Sequence, residues 1–559
     1  MSLDARSQAR LSTGGSRALV ALLVLGCLFL PYFYRLGDVP LIKVDEVWGA
    51  QPSWEIWTHG RFALPAFKGQ LHQEIATYFH PPGFYLVNAL FVGPLEPSTW
   101  SVRVAPTLFA LLSFIVLYVT LGRILAWSPR GRLLSLAGAA IAAWNPMTFV
   151  LSRHGRPETW ILLLGTCAVF LARPNAWPAR HAAPAASPAT PRPSEFSPLP
   201  VFLSGLLSGY ALFSHYWAWV LPGALALYFI SQRAWKALAW YVAGTSIFTA
   251  VTAGWILANR ADFTADLMWH RSAYLTNSAQ GYFQKRFGDH LAILRDSRAA
   301  CTWWLEVALL AALTLPGARP VRWLTLALLA AVHLLVILFP RPSIYYTIAI
   351  VYFCAGAIPI ALAHAWNEAG PGHAWRSRGL VLALAVVIAV PAALLGVTIW
   401  RDHDASYAAA FGPLREAVDR ADPAKAGVTV GSEIQYFAFW DRPFLIRWNP
   451  YLWKLEPPNS GPEALVRRWR SIGIRFVLTS SFMPGSTPLS PLGPTFDRAL
   501  VGYLRANGRT LAQSETRYYG EPEHKYEPGR VEVIDIGAGT GDPSNTGPGG
   551  GQDSLLLGQ

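Results

Sequence analysis

Apolar runs recur along most of this chain, and no other feature constrains its fold as much. They fall at about 18–34, 101–122, 133–151, 159–172, 199–215, 217–231, 237–257, 303–315, 323–339, 345–363 and 379–400. Backbone amides have no water to bond inside lipid, so such runs become helices that satisfy themselves. Several are shorter than the roughly 20 residues of a straight span. Charged residues make up only 14% of the 559, against roughly 25% in soluble domains. The net charge of +13 is spread over short loops rather than one stripe, which argues against nucleic-acid binding. Cys27, Cys167, Cys301 and Cys354 are scattered in or beside apolar runs. Without metal or redox spacing they read as small packing residues.

Loop charges assign the two sides. The first run follows Arg6, Arg10 and Arg17 and ends in Tyr32, Phe33 and Tyr34, with no small-residue cleavage site. It reads as a retained helix with residues 1–17 in the cytoplasm. Residues 83–97 form a short apolar stretch flanked by prolines. If this stretch lies in the interface instead of crossing, alternate connections carry Arg123, Arg130 and Arg132, then Arg173, Arg180 and Arg192, and so on to Arg376 and Arg378. Asp4, Glu195 and Glu368 are the acids on that side. An excess of Arg and Lys marks the cytoplasmic face. Loops 35–100 and 258–302, the turn 153–158 and everything after about 400 then fall outside. The expected fold is mainly α: a polytopic membrane domain over 18–400 with about eleven transmembrane helices plus juxtamembrane helices. The Ala/Pro-rich segment 173–198 reads as a cytoplasmic linker. Residues 401–535 read as a small soluble α/β domain outside the membrane. Its expected strands are Val428–Ser432, Ile474–Thr479 and Val531–Ile536, with helices over Pro413–Arg420 and Pro462–Ser471. The Gly/Ser/Pro-rich tail 536–559 reads as disordered.

Acidic residues at the mouth of a span are costly unless they stay wet or do work. Asp45 and Glu46 stand just after the first run, and both they and Glu158 fall on the outer face. Glu55, His59, His72 and Glu74 read as a solvated loop. Pro157 suits a helix start, and Glu158 at that N-terminus is as readily a favourable end charge as a functional acid. Arg153 and Arg156 could hold Glu158 or meet a phosphate. Outer loop 258–302 is cationic, with Arg271, Lys285 and Arg286, contrary to the usual bias. A bound phosphate and lipid headgroups explain that equally. Arg341, at the outer end of a span, reads as a snorkelling cation or a ligand contact.

Taken in order, these motifs resemble a known superfamily. They are the acidic pair Asp45-Glu46 after the first span, then His80-Pro81-Pro82 before an interfacial helix, and Ser101-Val102-Arg103 opening the next span. An Arg153-x-x-Arg156-Pro157-Glu158 turn and a late Arg341…Tyr345-Tyr346 segment follow, and a soluble domain ends the chain. The pattern is similar to the GT-C glycosyltransferases, nearest the protein O-mannosyltransferase and aminoarabinose transferase branch. The resemblance implies transfer of a sugar from a polyprenyl-phosphate donor to a hydroxyl acceptor (protein, lipid or glycan) at the outer face of the cell's inner membrane. It implies Asp45 as general base, Glu46 and His80 as residues that orient the acceptor or Asp45, and Glu158 as the second acid, where many relatives carry Asp. It implies Arg341, Arg271, Lys285 and Arg286 as cations for the departing phosphate, with Arg156 as a further candidate. Some members use a divalent cation. Asp45, His80 and Glu158 could hold one, but no tight ligand spacing demands it, so no cofactor is assigned.

Three other readings compete. A transporter expects related halves and polar residues at mid-membrane, and here the polar residues gather at one face. A scaffold leaves Asp45 without a reason. An O-antigen ligase or polymerase would use arginines and a histidine in a late loop such as 258–302.

Overall fold

The structure, a computed structural model, describes residues 26, 28–41, 45–68, 73–77, 80–172, 196–265, 268, 297–338, 347–368, 374–447, 450–453, 460–480, 494–516 and 529–537. Arg271, Lys285, Arg286, Arg341 and His72 lie outside the described residues, as do almost all of the linker and the tail. The chain divides into two compact units, Met1–Tyr407 and Ala408–Gln559.

The first unit is helical and belongs to a polytopic membrane protein. After a short helical segment around 28–33 come α1 (Asp45–His59), α2 (Gly83–Leu95), α3 (Ser101–Ile124), α4 (Pro129–Ala143), α5 (Pro146–Ser152) and α6 (Glu158–Ala172). They are followed by α7 (Pro198–Ser214), α8 (Val220–Ser231), α9 (Trp235–Ala258), α10 (Ser297–Thr314), α11 (Arg319–Leu338), α12 (Ile348–Glu368) and α13 (Ala374–Arg401). Among the described residues, four helices are individually long and apolar enough to cross a membrane: α3, α9, α12 and α13. The run expected as one span over 133–151 is instead two helices, α4 and α5, bent by 62°. Asn145 accepts a hydrogen bond from the Met147 amide at 2.9 Å, and Pro146, lacking an N–H, starts a new helix there. Counting that pair gives a fifth span. Six further apolar helices are shorter, so length and composition alone give fewer crossings than the apolar runs do. Helix α2 has 13 residues, which rise about 20 Å, less than a hydrocarbon core of roughly 30 Å.

The core of this unit packs α3, α4, α5, α10, α12 and α13 around Tyr32, Phe114, Phe149 and Ile358. Tyr32 stacks edgewise on Phe114 and Phe149, and its hydroxyl donates to the Ala143 carbonyl at 2.5 Å. The segment after the first helix is tied to the one after α13. Arg35 donates to the carbonyls of His403 and Ala405, and the Tyr407 amide donates to Asp38 Oδ1 at 2.7 Å. Both chain exits therefore lie on one face.

The second unit starts on α14 (Tyr407–Ala421) and continues through β1 (Val428–Gly431), β2 (Phe444–Ile446), α15 (Pro450–Trp453), α16 (Pro462–Ser471), β3 (Ile474–Ser480), α17 (Pro494–Asn507), β4 (Arg509–Thr516) and β5 (Gly529–Asp535). The sheet runs β2-β1-β3-β5-β4. β1 pairs in parallel with β2 and β3, while β5 pairs antiparallel with β3 and β4. The three expected strands and the helix over Pro462–Ser471 stand where the sequence places them. The earlier helix starts at Tyr407, with Pro413 inside it. Two strands are additional. β2 is three residues long, too short to show a period of two. β4 reads RTLAQSET and is half exposed; Thr510 and Thr516 are its only β-branched residues and it has no aromatic, so little marks it as a strand.

Candidate functional site

Asp45 and Glu46 open α1, where carboxylates favour the positive end of the helix dipole. Successive residues on a helix point roughly 100° apart, so the pair cannot serve one place. Glu46 turns inward. Its two oxygens take a bidentate pair from Arg103, Nε and Nη2, each at 2.8 Å, and both side chains are 0% exposed. The other guanidinium bonds of Arg103 go to the carbonyls of Leu36 and Pro40, each at 3.0 Å. The pair therefore fastens the start of α3 to the loop before α1.

Asp45 turns outward and is 30% exposed. Its Oδ2 accepts from Arg156 Nη1 at 2.7 Å. The same guanidinium reaches Glu158, with Nη2 at 2.8 Å and Nε at 3.0 Å from Oε1. Glu158 is wholly buried and Arg156 is 13% exposed. One cation thus bridges two acids that are far apart in sequence. The turn carrying Arg156 packs so tightly against α1 and α3 that neither Gly49 nor Gly155 has room for a side chain. A Cβ on Gly49 would lie 1.8 Å from the Gly155 carbonyl oxygen, and one on Gly155 would lie 2.3 Å from Val102 Cγ2. Arg153 takes no part in this bridge. It is buried and donates to the carbonyls of Val39, Tyr32 (2.9 Å) and Tyr34 (2.6 Å), capping the end of the first helical segment. Pro157 sits just before α6, its carbonyl accepting from the Ile161 amide at 3.0 Å.

The His80-Pro81-Pro82-Gly83 motif supplies the next wall. Gly83 starts α2 where a Cβ would lie 2.7 Å from the Phe213 carbonyl oxygen, and that carbonyl of Gly83 accepts from the Tyr210 hydroxyl at 3.0 Å. This docks α2 on the end of α7, beside His215. The His80 and His215 rings stand 4.3 Å apart, and His80 stacks on Tyr85 at 6.5 Å. Tyr85 feels Arg156, Glu158 and Asp45 together, and burial raises its phenol above the ordinary range. Burial, helped by the Arg156 charge, holds His215 well below the ordinary 6.5.

Asp45, Arg156, Glu158, His80, Tyr85 and His215 therefore gather in one polar cluster, while Glu46 turns away from it. Sequence reasoning missed His215 and Tyr85. Nothing local marks His215, which directly follows α7. Arg103 did carry a signal: an arginine entering an apolar span requires an anion. Glu55 pairs with Arg61 at 2.6 Å and His59 at 3.1 Å, apart from this cluster. A divalent cation held jointly by Asp45, His80 and Glu158 does not fit. The Arg156 guanidinium already stands between the two acids. Among the described residues, no three His, Cys, Asp or Glu converge.

The depressed His215 predicts an acid sensitivity. The neutral ring adds stability above the ordinary 6.5, and that stability is lost as the pH falls toward the lower folded value. Thermal unfolding of the purified protein should therefore shift down on acidification below about pH 6.5, and His215→Gln should flatten that dependence. An unchanged slope in the variant would assign the sensitivity to another group.

No protein-family model and no curated protein matches this chain. Solved structures do. ArnT from Cupriavidus metallidurans bound to undecaprenyl phosphate superposes with a TM-score of 0.56 at 15% identity, covering 96% of this chain and 99% of that one. Its apo form gives 0.54 at 13% identity, covering 96% and 100%. A weaker likeness, TM-score 0.49 at 10% identity, is to the Archaeoglobus fulgidus oligosaccharyltransferase, covering 82% of this chain and 69% of that one. With nearly the whole of both chains superposed on ArnT, this chain has the GT-C fold of polytopic membrane proteins.

Proposed function

We propose that the protein is a glycosyltransferase that moves a sugar from a polyprenyl-phosphate donor to a hydroxyl acceptor at the outer membrane face. The observation that carries this is the polar cluster in which Asp45, partly exposed, is fixed by Arg156 to the buried Glu158. The undecaprenyl phosphate bound to the ArnT of like fold supports the donor class. In this reading Asp45 accepts the acceptor's hydroxyl proton as that oxygen attacks the anomeric carbon. The bond from that carbon to the phosphate oxygen breaks, configuration inverts, and the lipid phosphate leaves as a dianion. A positioned base of this kind contributes roughly 10²–10⁴-fold.

Arg156 serves twice. It orients Asp45 before transfer. Once Asp45 takes the proton, Glu158 keeps the guanidinium in place and Nη1 becomes available to the phosphate. Fixed cations at developing charge act strongly in a dry site. Arg341, Arg271, Lys285 and Arg286 remain the proposed further cations for the phosphate. His80, with His215 against it, is proposed to orient the acceptor. Glu46 supports the site through Arg103 without touching the reacting atoms. The excess of arginine in the loops assigned to the other face supports a reading in which this site opens outside the cell's inner membrane.

The test gives purified protein a radiolabelled polyprenyl-phosphate sugar with candidate acceptors and follows donor consumption and anomeric configuration. Failure to consume any such donor would sink the proposal. Arg156→Gln is expected to lower kcat by roughly 10²–10³, with Arg156→Lys recovering part of it because charge returns without the bidentate fork. Equal activity of Arg156→Gln and wild type would remove Arg156 from the site.

A further inference from the structure

The second unit carries polar groups that the cluster above does not use. In the order β2-β1-β3, the strands run parallel. The chain leaves β1 for one side and returns to the other side for β3, so the carboxyl ends of β1 and β3 form a topological switch point. In open α/β sheets such an edge is the usual crevice for a ligand. Three ionisable side chains are delivered there. Glu433 follows β1 directly and is buried. Arg447 follows β2, and its amide donates to the Gly431 carbonyl at the end of β1, at 2.8 Å. Asp497 lies in the first turn of α17, the helix that comes after β3.

Asp497 is the anomaly. It is 3% exposed, and among the described residues neither carboxylate oxygen has a hydrogen-bond partner. Buried carboxylates without partners are expensive, and proteins keep them rarely. Arg447 lies within electrostatic reach of both Asp497 and Glu433; burial lowers that guanidinium to about 10 against the pull of both acids. Other buried or half-buried acids among the unit's described residues have arginine partners. Arg415 bonds Asp419 and Asp441, and Arg505 holds Glu532 at 2.6 Å. Asp497 stands out against that background.

We infer that the carboxyl edge of β1, β2 and β3 is a carbohydrate-binding site, in which Asp497, Glu433 and Arg447 hold vicinal hydroxyls of a neutral sugar. The chemistry selects the class. Two carboxylates only accept, and one guanidinium only donates. A hydroxyl does both, so neighbouring hydroxyls on one ring can donate to Asp497 and accept from Arg447. A phosphate would face two carboxylates, and an ammonium would face Arg447. No three metal-ligating groups converge among the described residues. This goes beyond the proposed transfer reaction, and the binding measurement does not depend on turnover.

Full-length protein in detergent is titrated with methyl mannoside and N-acetylglucosamine, with glucosamine and inorganic phosphate alongside, by saturation-transfer NMR. At least one neutral sugar is expected to bind wild type and Asp45→Asn alike. Asp497→Ala should raise that Kd at least tenfold. Asp497→Asn, which keeps the shape, should also weaken binding while leaving the melting temperature unchanged or higher, because an unpartnered charge has been removed. The inference is overturned by no binding of either neutral sugar or by binding that Asp497→Ala leaves intact. A site that takes only glucosamine or phosphate, or a melting temperature that falls in Asp497→Asn, overturns it equally.

Discussion

Asp45→Asn is expected to lower kcat for sugar transfer by roughly 10²–10⁴, with little change in the KM for the lipid donor. The amide oxygen can still accept from Arg156 Nη1, now 2.7 Å from Asp45 Oδ2, so the side chain stays in position and loses only its ability to take a proton. Loss of kcat at constant KM marks an interaction needed in the transition state. Asp45→Glu keeps the base but shifts it by a methylene against a turn that leaves no slack at Gly49 and Gly155. It should recover a small part of the rate. Full transfer by Asp45→Asn, measured as label moved to the acceptor, would sink the assignment of the base.

The largest stability effect is expected at the neighbouring residue. Glu46→Gln leaves the Arg103 guanidinium buried with only carbonyl partners. Breaking a buried pair from one side costs about 3–5 kcal/mol. Arg103→Met strands the Glu46 carboxylate to similar effect. Replacing both, Glu46→Leu with Arg103→Met, should cost much less than the two single changes added together, because no charge is left alone. Thermal unfolding of the purified variants provides the comparison. A second readout separates scaffold from chemistry: below its melting transition, Glu46→Gln should keep most of its kcat, where Asp45→Asn does not. A large kcat loss in folded Glu46→Gln would put Glu46 at the reacting atoms.

Much of the architecture is legible in the sequence because a membrane sorts residues by sums along the chain. Apolar runs locate α3, α9, α12 and α13 closely, and Pro462–Ser471 and Ile474–Ser480 show their periods plainly. The break at Asn145 was written in Asn145-Pro146 but hidden by the apolar residues on either side. β2 and β4 lacked a pattern, one too short and the other too polar.

The site divides in the same way. From the sequence alone come a membrane-embedded chain, a proposed outer face and the candidate acids Asp45, Glu46 and Glu158, since charge beside apolar runs is conspicuous in one dimension. Tertiary structure decided which acid joins the cluster. It turned Glu46 into Arg103, joined Asp45 to Glu158 through Arg156, and brought His215 against His80. The reason is geometric. Adjacent residues on a helix diverge by roughly 100°, and an arginine pairs with whichever carboxylate packing brings within about 3 Å. Neither the direction nor the partner is a property of the residue itself.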